Sequence, residues 1–192
     1  ASWYAPFPTL GVGADAAPIG SLEPERYRVI SLPLYQMADS AVVDRLGHWV
    51  ESGGSLVLGY RAGARDALDH NVEATLPGLF AELAGIRVPR FESLNETSAA
   101  LRVGVVPGRG GVWADIIEPD GAETVAVWTD RSKFYRGSPA VTVNRVGKGL
   151  VWYLGTSPNP IAMLALYRRI LKAAGLCPRF AGADVEAIER RD

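Results

Sequence analysis

The chain predicts a three-layer α/β fold, built on a mainly parallel sheet with an antiparallel hairpin portion. Three observations lead there. An apolar run, an amphipathic helical pattern and a second apolar run follow one another across residues 27–60. Short segments in the second half alternate apolar with polar residues and are divided by turn signals. A final helical stripe at residues 160–174 supplies a cover for the sheet.

"YRVISLPLY", residues 27–35, is of strand length, densely apolar and closed by polar residues, the pattern of a strand buried on both faces. In "MADSAVVDRLGHWVESGG", Val42, Val43, Leu46, Trp49 and Val50 fall on one helical stripe. Asp39 or Ser40 caps its start, and Gly53 suits a left-handed stop. "SLVLGY", residues 55–60, is a second buried strand. Strand, helix and strand in this order make a βαβ unit, which requires parallel pairing and a right-handed crossover.

"RAGARDALDHNVEATLP", residues 61–77, is a long polar loop, and a loop of that length is usually functional or interfacial. "PGLFAELAG" predicts a short helix ended by Gly85, and "IRVPRF" a further strand. "AALRVGV", "ADIIEP", "AETVAVW", "SPAVTVNRV" and "GLVWYLG" are short β-type segments. "EPDGAE" and "RVGKGL" mark turns between neighbours, so antiparallel hairpins are expected here. The last helix opens with Asn159 as cap and Pro160 in its first position. It places Ile161, Leu164, Tyr167, Ile170, Leu171 and Ala174 on one face, and Gly175 ends it. "AGADVEAIERRD" alternates once more and reads as a strand of a following module.

A chain of 192 residues is long enough to bury a core without disulfides or a structural metal. Its 20 basic and 21 acidic residues are interspersed, which gives no electrostatic footprint for nucleic acid or an anionic membrane. No run approaches the roughly 18 apolar residues that span a bilayer. The single cysteine, Cys177, rules out an internal disulfide framework and a thiolate zinc cluster and fits a reducing compartment, so a cytoplasmic setting is expected. The start, "ASWYAPFPTLG", has neither initiator Met nor signal-peptide pattern, and the chain reads as a piece of something longer.

Open α/β sheets bind ligands at the carboxyl ends of their strands, and here that place is held by Tyr60-Arg61. Cys–His catalysis of the amidotransferase kind would need a cysteine there and a His-x-Glu pair after a later strand. The later stretch, "YLGTSPNP", has neither residue. Asn95-Glu96 has the form of a glycosidase acid/base dipeptide, but this chain has too few βα units for the barrel that would hold it, so a turn or cap is expected. His48 falls beside the apolar stripe of the first helix, while His70 stands near Asp66 and Asp69 at spacings that do not define a metal site. Trp3, Trp49, Trp113, Trp128 and Trp152 are expected to pack in the core or against a partner. "GVGADAAPIG" and "GRGG" lack the context of a phosphate-binding loop.

"YRVISLPLYQMADSAVVDRLGHWVESGGSLVLGYRAGARDALD" resembles the middle domain of family 42 glycoside hydrolases, bacterial β-galactosidases. "LPGLFAELAGIRV" is similar to the family's Pro-Gly…Leu-Gly-Ile segment, and "SPAVTVNRVGKGLVWYLGT" to its hairpin before the last helix. "ADVEAIERRD" looks like the start of its C-terminal β-domain. The resemblance implies a flavodoxin/amidotransferase-like trimerisation domain over residues 27–180, without a catalytic triad. It also implies a truncated remnant of the domain's opening over 1–26 and the start of a C-terminal β-domain over 181–192. If the first strand is missing, the sheet has an unpaired edge or borrows a strand.

The parent's two catalytic glutamates would lie in a (β/α)₈ barrel outside this chain, which would have no catalytic residue, metal or cofactor of its own. Its partners would be that barrel and two further copies in a homotrimer, with Tyr60, Arg61, Asp66 and Asp69 at or near the subunit contact. Two other readings make different demands. A stand-alone amidotransferase-like domain that binds a small ligand needs a concave pocket above Tyr60. A carbohydrate-binding module needs two or more exposed tryptophans on one face.

Overall fold

The computed structural model describes residues 3–65 and 75–177. After a single helical turn, α1 (Pro6–Thr9), come β1 (Val29–Leu32), α2 (Ser40–Ser52) and β2 (Ser55–Gly59). This is the βαβ unit anticipated from residues 27–60. Asp39 caps α2 through its side chain, which accepts from the Ala41 N–H at 2.8 Å, and Gly53 stops it with φ of 129°. The chain continues through α3 (Ala81–Ala84), β3 (Ile86–Val103), β4 (Val106–Pro119) and β5 (Glu123–Trp128). It ends in β6 (Pro139–Val146), β7 (Gly149–Leu154), β8 (Thr156–Pro158) and α4 (Pro160–Ala173). Asn159 caps α4 and Pro160 occupies its first turn, as the sequence anticipates.

All eight strands join one sheet in the order β1-β2-β7-β6-β5-β3-β4-β8. Only the β1–β2 and β2–β7 pairings are parallel; the remaining five are antiparallel. The expectation of a mainly parallel sheet is therefore corrected to a mixed one. Parallel neighbours need a long crossover, which the 27–60 segment has, whereas β6 and β7 are joined by the two-residue turn Gly147-Lys148.

Two further expectations change. "IRVPRF" and "AALRVGV" belong to one strand of 18 residues, β3, interrupted by irregular pairing around Pro89 and Asn95. Proline has no N–H for the ladder and is tolerated in a strand at such a break. "EPDGAE" does not join neighbours, because β3 lies between β4 and β5. That turn is tied elsewhere: the N–H groups of Asp120 and Ala122 donate to Gly85 O at 2.7 and 3.2 Å.

β7 and β8 are one strand bent at Gly155. The Gly155 N–H donates to Ala140 O at 3.0 Å, and its carbonyl accepts from the Asp115 N–H at 2.8 Å. The strand leaves β6 at this point and joins β4, so the antiparallel portion curls back on itself.

Apolar residues fill both faces of β2. Leu56 and Leu58 pack with Ile30, Leu46, Trp49 and Phe80, on the side of α2 and α3. Val57 packs with Trp152, Leu166, Tyr167 and Ile170, on the side of α4. Burial of each such side chain contributes about 1.5–3 kcal/mol. The N-terminal stretch adds Phe7, set edge-on to Tyr167 with ring centroids 5.0 Å apart. β1, only four residues long, is one edge of the sheet. No helix among the described residues is long and apolar enough to cross a membrane.

Candidate assembly surface

β2 ends at Gly59, where a Cβ would overlap the carbonyl oxygen of Pro33, so only glycine lets the chain pass there. The next residues turn: the Ala62 N–H donates to Gly59 O at 3.2 Å, and Arg61 takes the left-handed conformation with φ of 59°. Tyr60 points inward. Burial, and then the charge of Asp115, hold its phenol above the ordinary tyrosine range.

Arg61 points outward and lies over two rings. Its guanidinium carbon is 4.6 Å from the Trp113 ring centroid and 5.5 Å from that of Phe91. The two rings stack on each other at 4.6 Å with 24° between their planes. Phe91 is 52% exposed, so this three-member stack presents a flat cationic–aromatic face to its surroundings.

Asp115, with no exposed surface, braces the stack from beneath. Its Oδ1 accepts from Trp113 Nε1–H at 2.8 Å. Its Oδ2 accepts from the Tyr153 hydroxyl at 2.7 Å and from the Arg61 backbone N–H at 3.3 Å. Burial pushes the Asp115 carboxyl up; the donors from Tyr153, Trp113 and Arg61 act in the opposite direction. Burial and the neighbouring Asp115 charge raise Tyr153 well above the ordinary range. One carboxylate thus fixes both the plane of the indole and the turn that carries Arg61.

On the far side of β3 the loop between β5 and β6 is cross-braced in a similar way. Glu92 accepts from Lys133 Nζ at 2.7 Å and from the Tyr135 hydroxyl at 2.6 Å. Burial would raise the Glu92 carboxyl, but these two donors and the Lys133 charge together outweigh it and lower it. Between them Phe134 is held out, with the Arg90 guanidinium 5.6 Å from its ring centroid.

Of the four residues expected at the contact, Tyr60 and Arg61 are placed as described. Asp66 and Asp69, with His70, lie outside the described residues. His48 is exposed on α2, its Nδ1 2.7 Å from Asp44 O. Asn95-Glu96 sits at an irregularity of β3, where Asn95 has φ of 47°. Cys177 is exposed beyond α4. Among the described residues, no three of His, Cys, Asp and Glu gather as a metal site would require.

A cleft of about 490 Å³ lies between α4 and the β3–β4 hairpin, and another of about 290 Å³ lies beside Trp49; Tyr60 lines neither. Trp49, Trp128 and Trp152 are buried, and Trp3 and Trp113 are partly covered. None of the five tryptophans is exposed, so the face of exposed tryptophans is not found among the described residues.

Asp115, Phe91 and Trp113 were not singled out for this site from the sequence. "ADIIEP" reads as one more apolar strand, and the available signal was a lone carboxylate at an inward position of it. Phe91 and Trp113 meet only through the β3–β4 register, which pairs Phe91 with Asp115 and Ser93 with Trp113.

Comparisons with known proteins agree with this architecture. Residues 1–177 match the family described as beta-galactosidase trimerisation domain. Beta-galactosidase LacZ of Heyndrickxia coagulans is 29% identical over 170 residues, which cover 88% of this chain and 25% of that protein. The crystal structure of beta-galactosidase from Bacillus circulans sp. alkalophilus shares the fold, with a TM-score of 0.86 at 20% identity, over 92% of this chain and 27% of that one. The beta-galactosidase of the haloarchaeon Halorubrum lacusprofundi gives a TM-score of 0.84 at 30% identity, over 91% of this chain and 26% of that one. The chain spans about a quarter of the length of these relatives. It belongs to the beta-galactosidase trimerisation domain family of glycoside hydrolase family 42.

Proposed function

We propose that this chain is the module that joins three copies of a β-galactosidase and cleaves no bond itself. The parent enzyme hydrolyses terminal β-D-galactosides with two glutamates in a (β/α)₈ barrel outside this chain. The β1–β2–β7 portion is an amidotransferase-like scaffold in which Tyr60-Arg61 holds the place of a nucleophile. Residues 1–26 are the remnant of the domain's opening, 27–180 the assembly domain and 181–192 the start of a C-terminal β-domain. The working setting is cytoplasmic, consistent with the single thiol, and no nucleic acid or membrane takes part.

The observation that carries this reading is the Arg61 guanidinium over Trp113 and Phe91. Arginine and large aromatics are the anchors of protein interfaces, and these three are fixed before any partner arrives. Asp115 holds the stack from below, which lowers the entropy lost when a second copy packs on it. Tyr60, Arg61, Asp66 and Asp69 lie at or near that contact.

Light scattering of the purified chain tests the reading. A trimer that Arg61→Ala converts to smaller species is expected; an unchanged mass would remove Arg61 from the contact. Incubation with a chromogenic galactoside tests the catalytic half, and no turnover is expected. Turnover that a point change within the chain abolishes would overturn the non-catalytic role.

A further inference from the structure

Every non-glycine residue with a positive φ among the described residues belongs to one neighbourhood. Arg61 has φ of 59°, Asn95 of 47° and Val112 of 67°. Asn95 and Val112 face each other across the β3–β4 ladder, Val112 adjoins Trp113, and the Arg61 guanidinium lies over the Trp113 ring. Strain of this kind persists only where the surroundings enforce it, and it collects at switches and ligand clamps. Beneath Arg61 the enforcing group is one buried carboxylate. We infer that Asp115 is a proton-operated latch for the Arg61 turn. When its carboxylate takes a proton from solvent it lets go of the Arg61 N–H, and the guanidinium leaves the Trp113 and Phe91 rings.

The latch follows from what each partner can offer. An ionised carboxylate only accepts, and Asp115 accepts from three donors: Trp113 Nε1–H on Oδ1, and the Tyr153 hydroxyl and the Arg61 N–H on Oδ2. A protonated carboxyl must also donate. Neither an indole nor a backbone N–H accepts a hydrogen bond, so the new O–H can point only at the Tyr153 oxygen, once that hydroxyl has turned its own hydrogen away. The proton therefore sits on Oδ2, the oxygen shared with Arg61. Trp113 keeps its acceptor, Oδ1, at 2.8 Å. The Arg61 N–H, at 3.3 Å the longest of the three bonds, is left facing an uncharged hydroxyl oxygen and loses the charge that strengthened it. The strained turn is then the first part of the network to give way.

Among the described residues around Asp115, no other group changes charge in the same range. Arg61, a permanent cation, and Tyr60 face it from the turn after β2, and Tyr153 faces it from β7. Phe91, opposite it on β3, and Trp113, on its own strand, do not titrate. Both phenols are held above the ordinary tyrosine range and stay neutral. Burial holds the Asp115 carboxyl above the ordinary aspartate value of about 3.9. Glu92 and Asp130 are held below the ordinary carboxylate range, so Asp115 takes its proton before they do. A carboxyl raised in the folded state contributes stability below its unfolded value and loses it as pH rises through the folded one. Protonating Asp115 therefore loosens the turn without unfolding the sheet. Resting on the assembly reading above, acid then also separates the copies, because the face they share has lost its anchor.

Nuclear magnetic resonance of the full chain, titrated from about pH 8 to about pH 4, tests the latch. The Asp115 carboxyl carbon and the Arg61 amide should titrate with one midpoint, while the Trp113 indole N–H stays hydrogen-bonded. Asp115→Asn cannot change charge and should leave the Arg61 amide independent of pH. Tyr153→Phe removes a bond that is stronger to the charged form than to the neutral one, so the midpoint should rise by about half a unit to one unit. An Arg61 amide that ignores the Asp115 midpoint overturns the latch, as does one that still titrates in Asp115→Asn. Should that variant fail to fold, a Tyr153→Phe titration midpoint equal to that of the wild type overturns it instead. Light scattering over the same range separates this inference from the assembly reading. A trimer that falls to monomer at the Arg61 midpoint is expected. A mass that stays constant while the Arg61 amide titrates leaves the latch standing and removes Arg61 from the contact.

Discussion

The hydroxyl of Tyr153 donates a 2.7 Å hydrogen bond to Asp115 Oδ2, and neither side chain has exposed surface. A carboxylate out of contact with water depends on such donors, because each lost partner leaves part of its desolvation uncompensated. Tyr153→Phe removes one donor and keeps the ring. A hydrogen bond to a charged group is worth about 1.5–3 kcal/mol, and the variant should be less stable by about that amount. Urea unfolding checks this: the midpoint falls while the slope is unchanged. A midpoint equal to that of the wild type would mean that Asp115 does not rely on Tyr153.

Acid reads out a second carboxylate. Asp130 accepts from Ser132 Oγ–H at 2.7 Å, from the Ala100 N–H at 3.0 Å and from the Ser132 N–H at 3.0 Å. These bonds, the Ser132 hydroxyl foremost, hold its carboxyl down to about 2. A depressed carboxyl in the folded state contributes stability above its unfolded pKa of about 3.9, and loses it as pH falls through the folded value. Asp130→Ala should therefore melt below the wild type at neutral pH. The gap should close progressively between about pH 4 and pH 2. Parallel thermal melts at stepped pH check this, and a gap that is constant through that range would contradict it.

Local periodicity explains which parts of the fold are legible in the sequence. Strand 55–59, helix 40–52 and helix 160–173 are written in patterns that repeat within a few residues, with Asp39, Gly53 and Asn159 as punctuation. The turn that follows β2, with Arg61 at φ of 59°, separates an inward Tyr60 from an outward Arg61. What was not legible depends on partners distant in sequence. The insertion of β3 between β5 and β4, the bend at Gly155 and the bond from Arg61 to a carboxylate 54 residues away have no local signature. Phe91 and Trp113 are unremarkable strand aromatics until the ladder register sets them together.

The approach of Pro33 to Gly59 makes a third expectation. Any side chain at position 59 would overlap the Pro33 carbonyl, which is backbone and has no rotamer to give way. The overlap would drive apart the ends of β1 and β2, which are paired up to Leu32 and Leu58. Gly59→Ala should cost more than about 3 kcal/mol, in the range that marks steric or strain effects in a core. Either failure to fold or a fall of that size in denaturant stability is expected; a wild-type unfolding midpoint would contradict it.

Arg61 combines a strained backbone with a partly exposed side chain, and the two can be separated. At φ of 59° a residue with a Cβ costs of order 1–3 kcal/mol, and glycine removes that strain. Arg61→Gly keeps the backbone N–H that Asp115 accepts, so the brace beneath the turn remains. It gives up the stacking of the guanidinium on Trp113 and Phe91, worth about 0.5–1 kcal/mol at an exposed site. The greater freedom of glycine in the unfolded chain costs a similar amount. These terms nearly cancel, so the variant should unfold within about 1 kcal/mol of the wild type. Assembly, by contrast, needs the side chain and should be lost. Denaturant unfolding and light scattering on the same sample decide the matter. A folded, monomeric Arg61→Gly chain means that the strained arginine is kept for contact with another copy. A chain that unfolds early means that Arg61 holds its own domain together, and one that still assembles means that the stack is not at the contact.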